Sequence, residues 1–372
     1  MRFSRKTSRS FADGACIALV GSVGVPARYG GFETFVHELA PLLRSRGHQV
    51  VITCDATQYV DHPDQFEGCK LLWIPIRANG VLSTLHDTVA LLRVCWKVDC
   101  ILILGVSAGP VIPLVRLIGR ARVVTNTDGI EWRRGKFGRI KRCLLWVFDR
   151  LAQLGSHRVV VDNEALLAFV GNDTRTRTDV IPYGGDQAVR IAALTPPAEL
   201  LKVEYALTIC RIEPENNLDL LIRGFLGSPG ERYVIVGNWE GSEYARQLRR
   251  RYRDEPRLLL LDPIYDVAVL RGLRERCKVY LHGHSVGGTN PSLVEMLFFD
   301  MPIVAFDCPF NRQTASEAAR YFSDEAELAG ALRSLWTEGV ADGAVRQTVR
   351  NRYTWNRIAD AYERVFSTVL HG

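Results

Sequence analysis

Short apolar runs alternate with longer amphipathic segments along almost the whole chain. The short runs are rich in valine, isoleucine and leucine, which is typical of strands that are buried on both faces. The longer segments repeat their apolar positions with the period of an α-helix. This alternation predicts parallel sheets covered by helices on both sides, and the fold class is therefore α/β.

The pattern forms two series, and the adjacent prolines Pro196 and Pro197 lie between them. Proline pairs favour extended, exposed backbone, so segment 194–199 is predicted to be a linker. In the first series the predicted strands are 16–20, 50–54, 72–75, 100–104, 122–125, 158–161 and 179–181. The predicted helices of this series are 32–45, 83–97, 137–154 and 164–169.

The second series has the same organisation and predicts a second Rossmann-like unit. Its predicted strands are 206–210, 233–236, 258–261, 279–282 and 302–305, and its predicted helices are 217–225, 243–252, 267–276 and 292–299. Two last helices, 325–336 and 355–370, are able to pack on either half. We therefore expect a basic mobile tail (1–14), an N-terminal domain (15–193), the linker, a C-terminal domain (200–353) and a final helix (354–372). A return of this helix to the N-terminal domain is one of its two alternatives.

Composition narrows the class of protein. The 372 residues are 47% hydrophobic and 24% charged, which favours folded domains over disordered, collagen-like or coiled-coil chains. The net charge of +6 favours phosphates or an anionic membrane surface and does not call for nucleic acid. The nine cysteines are scattered and include no C-x-x-C pair, which indicates a reduced, cytoplasmic protein without disulfides.

No segment has the pattern of a secretory signal or a membrane-spanning helix. The first ten residues are basic and polar, without an apolar stretch behind them. The longest charge-free stretch, 101–115, contains two glycines and two prolines and is shorter than the roughly 20 apolar residues that a spanning helix needs. It predicts a buried strand, a loop and the start of a helix.

A glycine-rich loop follows the first predicted strand, with glycines at 21, 24, 30 and 31. Glycines at this point allow backbone N–H groups to approach a phosphate or a sugar at the start of the next helix. A plain strand-to-helix turn explains the same glycines. Their spacing is not the G-x-G-x-x-G of a dinucleotide site, which argues against a dehydrogenase.

Two loops of the second series contain further polar groups. Arg211 follows a strand and places a fixed cation at its carboxyl end, where a diphosphate is a suitable ligand, although a surface ion pair with Glu213 or Glu215 explains it equally. The segment 282–295 is a strand, a glycine-rich loop and a helix start. In it, Glu295 can accept hydrogen bonds from ribose hydroxyls, or be an ordinary acidic residue of a helix first turn. His282 and His284 have no third metal ligand nearby, so no metal site is predicted.

These segments resemble family 4 glycosyltransferases over nearly the whole chain. The stretches VPARYGGFETF (25–35), DGIEW (128–132) and GHSVGGTNP (283–291) are similar to the bacterial branch that contains L-rhamnosyltransferases of polysaccharide biosynthesis. The resemblance implies a GT-B architecture, in which two Rossmann-like, doubly wound domains face each other across a central cleft. It also implies retaining sugar transfer without a metal or another cofactor, and the sequence contains no Asp-x-Asp motif.

Site residues are carried over from the family motifs. Arg211 is similar to the diphosphate-binding arginine, and Asp128 replaces an acceptor-site histidine and is a candidate base, or else forms an Asx turn with Gly129. The donor site is expected to include Gly30, Gly31, Asn216, Asn217, Gly237, Gly287, Gly288, Thr289, Asn290 and Glu295. The acceptor site is expected to include Arg28, Tyr29, Glu131 and Trp132.

Two positions depart from the family pattern. Gly287 lies where a second glutamate is expected, eight positions before Glu295, and Asn216 replaces a lysine. The donor site therefore lacks one carboxylate and one cation.

The sequence predicts a cytoplasmic glycosyltransferase that moves L-rhamnose or another hexose from a nucleoside diphosphate sugar to a growing glycan or lipid-linked saccharide. Two alternatives remain, a nucleotide-sugar epimerase and a non-catalytic binding subunit. Weak binding to an anionic membrane surface is also expected, because the N-terminal half concentrates cations at 2–9 and 133–142. In helix 137–154 a basic edge borders an apolar stripe of Phe137, Leu145 and Phe148, and a stripe that faces the core is the competing interpretation.

Overall fold

A computed structural model describes residues 14–27, 30–133, 137–338 and 343–372. These residues form two α/β domains, each built on one sheet of parallel strands. The first domain contains an eight-stranded sheet and the second a six-stranded sheet. The fold class that the sequence predicts is confirmed.

The first sheet has the strand order β3-β4-β2-β1-β5-β6-β7-β8. Every neighbouring pair is parallel except β3 and β4, which are antiparallel at one edge. The strands are β1 (Cys16–Val20), β2 (Gln49–Asp55), β3 (Gln65–Phe66), β4 (Cys69–Ile74), β5 (Cys100–Leu104), β6 (Arg122–Asn126), β7 (Arg158–Val161) and β8 (Thr178–Val180).

Helices cover both faces of this sheet. Their bounds are α1 (Gly31–Ser45), α2 (Ser83–Val94), α3 (Ile112–Ile118), α4 (Arg139–Gly155) and α5 (Asn172–Arg175). Buried residues of α2, α3 and α4, such as Leu91, Ile112 and Ala152, share one core with one face of the sheet. Helix α1 packs on the opposite face through Phe35 and Leu39.

The second sheet has the order β11-β10-β9-β12-β13-β14, and all its strands are parallel. Its strands are β9 (Tyr205–Ile209), β10 (Arg232–Val236), β11 (Leu258–Leu261), β12 (Val279–His282), β13 (Ile303–Phe306) and β14 (Arg320–Phe322). The helices of this part of the chain are α6 (Leu218–Leu226), α7 (Glu243–Tyr252), α8 (Val267–Arg276), α9 (Pro291–Met296), α10 (Pro309–Ala315), α11 (Glu325–Glu338) and α12 (Gly343–Arg350).

The last helix, α13 (Trp355–His371), lies on the first domain and packs against α1. Its Trp355 and Tyr362 are buried beside Phe35, with the Tyr362 and Phe35 ring centroids 5.4 Å apart. The Asn126 side-chain amide donates a hydrogen bond to the Tyr362 hydroxyl (2.9 Å). The end of the chain is therefore part of the first core.

The chain passes from the first core to the second before the predicted linker. Tyr183 belongs to the first core, whereas Ala188 and Leu200 belong to the second. The first passage therefore lies between 183 and 188 rather than in the predicted linker 194–199. That segment already runs along the second domain, where the Leu194 carbonyl lies against Gly272.

Several elements differ from the sequence prediction. The predicted helix 164–169 is a 3₁₀ helix. The short elements β3, α5, β14, α10 and α12 are not predicted, because none of them contains the continuous apolar run or the long amphipathic repeat that marks the predicted strands and helices. Among the described residues, no helix has both the length and the apolar character that crossing a bilayer requires.

Candidate active site

The carboxyl ends of both sheets face one cleft with a volume of about 540 Å³. Loops after β1, β6 and β7 line it from the first domain, and loops after β9, β10 and β12 line it from the second. Ligands of open parallel sheets bind at this end, because the loops that follow the strands converge there. The cleft is therefore the candidate active site.

Most of the predicted site residues line this cleft. These are Gly30, Gly31, Asp128, Glu131, Arg211, Asn216, Gly237, Gly287, Gly288, Thr289, Asn290 and Glu295. Asn217 and Trp132 are not among the lining residues. Arg28 and Tyr29 lie outside the residues that the structure describes.

The Arg211 side chain is exposed at the cleft, with its guanidinium free of hydrogen bonds and ion pairs to any residue of the described ranges. The structure thus shows no ion pair of Arg211 with Glu213 or Glu215. Asn216 fixes the loop beneath it, since its side-chain amide donates to the Arg211 carbonyl (2.7 Å). The arrangement presents an uncommitted fork of donors, which suits a diphosphate.

Asn216 and Asn217 hold the second-domain loops together. The Asn216 side-chain oxygen is 2.9 Å from His284 Nδ1, and the Asn217 side chain donates to the Gly283 carbonyl (2.9 Å). Asn217 has a left-handed backbone (φ 49°), which asparagine tolerates better than most residues, at the start of α6. Both asparagines therefore connect the Arg211 loop to the loop after β12.

Glu295 lies in the cleft wall and is held by two neighbours. The Gln187 side-chain amide donates to its Oε1 (2.9 Å), and the buried guanidinium of Arg274 forms an ion pair with its Oε2. A carboxylate has about four acceptor positions, so two are left for hydroxyl groups of a ligand. Glu295 is thus an oriented carboxylate that is still able to accept hydrogen bonds.

The two domains touch where glycine loops meet. A Cβ on Gly129 would lie 2.8 Å from the Gly287 Cα, and a Cβ on Gly288 would overlap the carboxylate of Asp162. Asp162 Oδ1 accepts from the Thr289 amide (3.1 Å), and the Thr289 hydroxyl donates to the Asp162 carbonyl. Only residues without a Cβ allow the loops to approach so closely.

The loop between β1 and α1 forms the opposite wall. Gly30 has φ 123°, and a Cβ there would overlap the Glu33 carboxylate. Glu33 Oε1 accepts from the Val23 amide (3.0 Å), and burial raises the pKa of this carboxyl. Across the cleft, a Cβ on Gly31 would be 3.5 Å from Pro291. The loop amides are therefore close to the second domain.

Asp128 and Asp162 form an acidic pair at the base of the cleft. Asp128 has φ 59° and accepts from the Tyr183 hydroxyl (3.4 Å). The Asx turn at this point is formed by Asn126, whose side-chain oxygen accepts from the Asp128 amide (2.9 Å). Burial raises the pKa of Asp162 well above its usual value, and the charge of Asp128 raises it further. The surroundings of Asp162 thus disfavour its charged form relative to an exposed aspartate.

Trp132 lies behind the cleft rather than in it. Its indole N–H donates to Asp149 Oδ2 of α4 (3.1 Å), and the Trp132 ring packs edge-on against Phe169. With Arg139, Arg142 and other residues of α4 it lines a second, shallow depression. Glu131, by contrast, lines the cleft.

His282 and His284 show no metal-binding arrangement. His282 is buried, its Nε2 has no partner among the described residues, and burial lowers its pKa to about 3. No group of three or more histidine, cysteine, aspartate or glutamate side chains in the described ranges is placed to hold a metal ion. His284 lines the cleft and contacts Asn216.

Sequence reasoning missed three residues of this site. Asp162 directly follows a predicted strand at its carboxyl end, and that position was the available signal. Arg274 and Gln187 support Glu295 from a helix and a turn that are distant in sequence. Nothing in the local pattern marks either of them, because their role depends on tertiary contacts.

Residues 30–184 match the family model described as a glycosyl transferase 4-like domain. The match covers 155 of the 372 residues, all in the first half of the chain. No curated protein sequence matches the chain.

Solved structures with a similar fold cover almost the whole chain. Sucrose-phosphate synthase from Thermosynechococcus elongatus is 17% identical with a TM-score of 0.75, over 95% of this chain and 100% of that one. HepE of Anabaena, in complex with UDP and glucose, is 15% identical with a TM-score of 0.72, over 95% and 100%. The catalytic domain of starch synthase IV from Arabidopsis thaliana, bound to ADP and acarbose, is 13% identical with a TM-score of 0.71, over 96% and 100%. The architecture is the GT-B fold.

Proposed function

We propose that the protein is a retaining, metal-independent glycosyltransferase that uses a nucleoside diphosphate sugar. The observation that carries the proposal is the unpaired Arg211 guanidinium in a cleft whose walls also contain the oriented carboxylate of Glu295. The glycosyl transferase 4-like match and the UDP- and ADP-bound structures of similar fold support it.

The donor is proposed to bind mainly to the second domain. Glu295 accepts hydrogen bonds from the ribose hydroxyls, while Arg211 and the backbone amides of residues 287, 288 and 290 bind the diphosphate. Gly237 supports this site from below, because a Cβ there would lie 2.5 Å from the Cys210 carbonyl, next to Arg211. The glycines Gly30 and Gly31 bring the α1 amides to the other side of the phosphates.

The main requirement for catalysis is to stabilise the negative charge that develops on the leaving diphosphate. When the bond between the sugar and the diphosphate breaks, its electron pair remains on the diphosphate oxygen. Arg211 and the loop amides stabilise that growing charge without reorganisation, since they are already in place. The attacking acceptor hydroxyl loses its proton as the new glycosidic bond forms, and Asp128 is placed to hydrogen-bond or accept it.

The contact of Gly129 with Gly287 and Gly288 is proposed to exclude water from the reacting centre, which protects the activated donor from hydrolysis. We propose L-rhamnose or another hexose as the transferred sugar and a lipid-linked bacterial glycan as the acceptor. The stretches similar to L-rhamnosyltransferases support this choice.

The test is incubation of purified protein with a panel of nucleotide sugars, with and without saccharide acceptors. We expect release of nucleoside diphosphate only with acceptor, and NMR of the product showing the anomeric configuration of the donor. Conversion of the donor without any acceptor would identify an epimerase, and absence of turnover with donor binding intact would identify a binding subunit.

A matched pair of variants tests the role of Arg211. We expect Arg211→Ala to lower turnover by about 10²–10³, the usual effect of removing one donor to a developing negative charge. Its stability should stay near that of the wild type. Arg211→Lys should restore part of the rate, since it keeps the charge and loses the fork. Arg253→Ala, an exposed arginine outside the cleft lining, is the control and should leave turnover unchanged.

A further inference from the structure

Helices α3 and α4 expose large apolar side chains on the outer surface of the first domain. We call this surface the α3–α4 face. Ile140 is 89% exposed and Leu117 is 83% exposed, values that are unusual for isoleucine and leucine in a folded domain. The remaining exposed apolar members are Leu114, Ile118, Leu144, Trp146, Val147 and Leu154.

Helix α4 distributes its side chains in the opposite way to an ordinary surface helix, with apolar residues outside and polar residues inside. Ile140, Leu144, Val147 and Leu154 follow helical spacing and form an exposed stripe. The buried side contains polar Asp149 and Gln153, which bond to each other (2.9 Å). The stripe that the sequence suggested, Phe137, Leu145 and Phe148, is half-buried. The exposed stripe lies on another side of α4 and faces outward.

The two helices form one surface because they are fixed to each other. Helix α3 packs against α4, and the Arg116 guanidinium donates to the Ser156 carbonyl just after the end of α4 (3.1 Å). A Cβ on Gly155 would lie 2.8 Å from the Pro113 nitrogen, so the backbones are in close contact there. Leu117 and Leu154 thus belong to adjacent, rigidly joined helices.

Cations border this face, and exposed acids are absent from its helices. Arg116, Arg139, Lys141 and Arg142 are exposed. Within α3 and α4, all of whose residues are described, the one acidic residue is Asp149, and it is buried. Basic side chains around an exposed apolar stripe are the pattern of helices that lie in the interface of an anionic bilayer.

The second domain provides an internal comparison. Among its described residues from 200 onward, the exposed large apolar side chains are Leu201, Tyr265 and Val267. Its basic helix α7 is paired with acids, as in the ion pairs of Arg250 with Glu243 and Arg251 with Asp219. The combination of exposed apolar groups with cations that lack exposed acidic neighbours on their own helices distinguishes the α3–α4 face from the second domain, and α2 of the first domain shares it through Leu85, Leu92 and Arg93.

We propose that the α3–α4 face docks on an anionic phospholipid surface. The apolar side chains enter the headgroup region, and Arg139, Lys141 and Arg142 contact lipid phosphates. A protein partner explains the apolar groups, but it does not require this excess of one charge.

The docked face is connected to the cleft by a short turn. Glu131 lines the cleft, and its neighbour Trp132 borders the start of α4, where its carbonyl accepts from Arg142 (2.8 Å). A membrane under α4 would therefore lie beside the acceptor side of the cleft. This last step rests on the proposed function, since it assigns the acceptor to the same membrane.

Vesicle sedimentation tests the proposal with matched variants. The protein should sediment at low salt with vesicles of equal parts phosphatidylcholine and phosphatidylglycerol, and far less with phosphatidylcholine alone or at high salt. Ile140→Ser should lower the partition coefficient roughly tenfold. Val60→Ser, which alters an equally exposed (89%) residue elsewhere, should leave it unchanged. The double variant Arg139→Gln, Lys141→Gln should lower the partition coefficient about fivefold for each cation removed. The double variant Arg250→Gln, Arg253→Gln should lower it much less.

Three results would overturn the proposal: no sedimentation with anionic vesicles at low salt, an equal loss in Ile140→Ser and Val60→Ser, or a dimer without lipid that Ile140→Ser dissociates. The last result would mean that the face joins two copies of the chain. Transfer to a water-soluble acceptor is measured in parallel and should be the same in Ile140→Ser and wild type. Failure of transfer with intact vesicle binding would reject the proposed function alone.

Discussion

A carboxylate that is to bind sugar hydroxyls needs a fixed orientation, and Glu295 obtains it from Arg274 and Gln187. The sequence places Glu295 in the candidate site because the glycine loop before it is recognisable. It gives no sign of Arg274, whose guanidinium reaches the site only through the packing of α8 against the second sheet. At the residue scale, the sequence predicts which loop residues after strands belong to the site. It does not predict the buried residues, such as Arg274, that hold them in position.

Substitutions of Glu295 should affect both donor binding and stability. Glu295→Gln keeps one acceptor but loses its charge, so we expect donor binding to weaken by roughly 1–2 kcal/mol. Glu295→Ala leaves Arg274 buried without a counter-ion and should lower the free energy of unfolding by about 3 kcal/mol. Calorimetric titration with UDP and urea unfolding measure the two effects. Unchanged UDP affinity in Glu295→Gln would exclude the ribose contact, and a deoxyribonucleotide should show a smaller loss than UDP.

The acidic pair predicts a pH dependence of stability. The pKa of Asp162 is raised by burial and by the charge of Asp128. As pH rises, the unfolded chain therefore loses this proton before the folded protein does. The stability that proton binding contributes is complete below the ordinary aspartate pKa, and it is lost as pH rises through the raised pKa of Asp162 in the folded protein. Asp162→Asn keeps an acceptor for the Thr289 amide and should remove this part of the decline. Urea unfolding from pH 4 to pH 8 measures it, and identical slopes in variant and wild type would contradict the assignment.

At the scale of elements, the strands at the centre of both sheets were predicted within a residue or two. Their apolar runs are long and uninterrupted, as in Cys100–Leu104 and Val279–His282. Short edge elements such as Gln65–Phe66 were not predicted, because pairing with a neighbour defines them more than their own sequence does. The exposed stripe of α4 also differs from the one that the sequence suggests, since periodicity marks apolar positions of a helix and does not show what they contact.

The loop contact between the domains predicts a glycine-specific effect. Gly129→Ala would place a methyl group 2.8 Å from the Gly287 Cα, so the loops would have to separate. We expect turnover to fall at least about tenfold, the size of a small misplacement of reacting groups, while UDP still binds to the second domain. Gly330→Ala is the control, since a Cβ there meets nothing within 4 Å. Equal turnover in the two variants, from steady-state assays, would show that the contact is dispensable.

For the whole molecule, the two-domain α/β architecture was predicted and is confirmed. The assignment of the last helix to a domain was not possible from the sequence, because an amphipathic helix fits either sheet. Its contacts with α1 through Trp355 and Tyr362 decide the matter.

The docking of α13 should be essential for the first domain. Tyr362→Ala removes a fully buried ring from the core and leaves the Asn126 amide without its acceptor. We expect a loss of about 3–5 kcal/mol in the free energy of unfolding. Tyr362→Phe should cost only about 1 kcal/mol, since it removes the hydrogen bond alone. Chemical unfolding measures both, and a small effect of Tyr362→Ala would show that α13 is dispensable for the first core.

The return of the chain to its first domain also limits how the domains are able to move. Two backbone segments connect the domains, one near Gly185 and one near Tyr353. The segments are adjacent, since the Gly185 amide donates to the Tyr353 carbonyl (2.8 Å). A single tether would permit twisting and sliding in all directions. Two neighbouring crossings leave one easy motion, a rotation about the line through them. We therefore expect any opening of the cleft to be a hinge movement about that line.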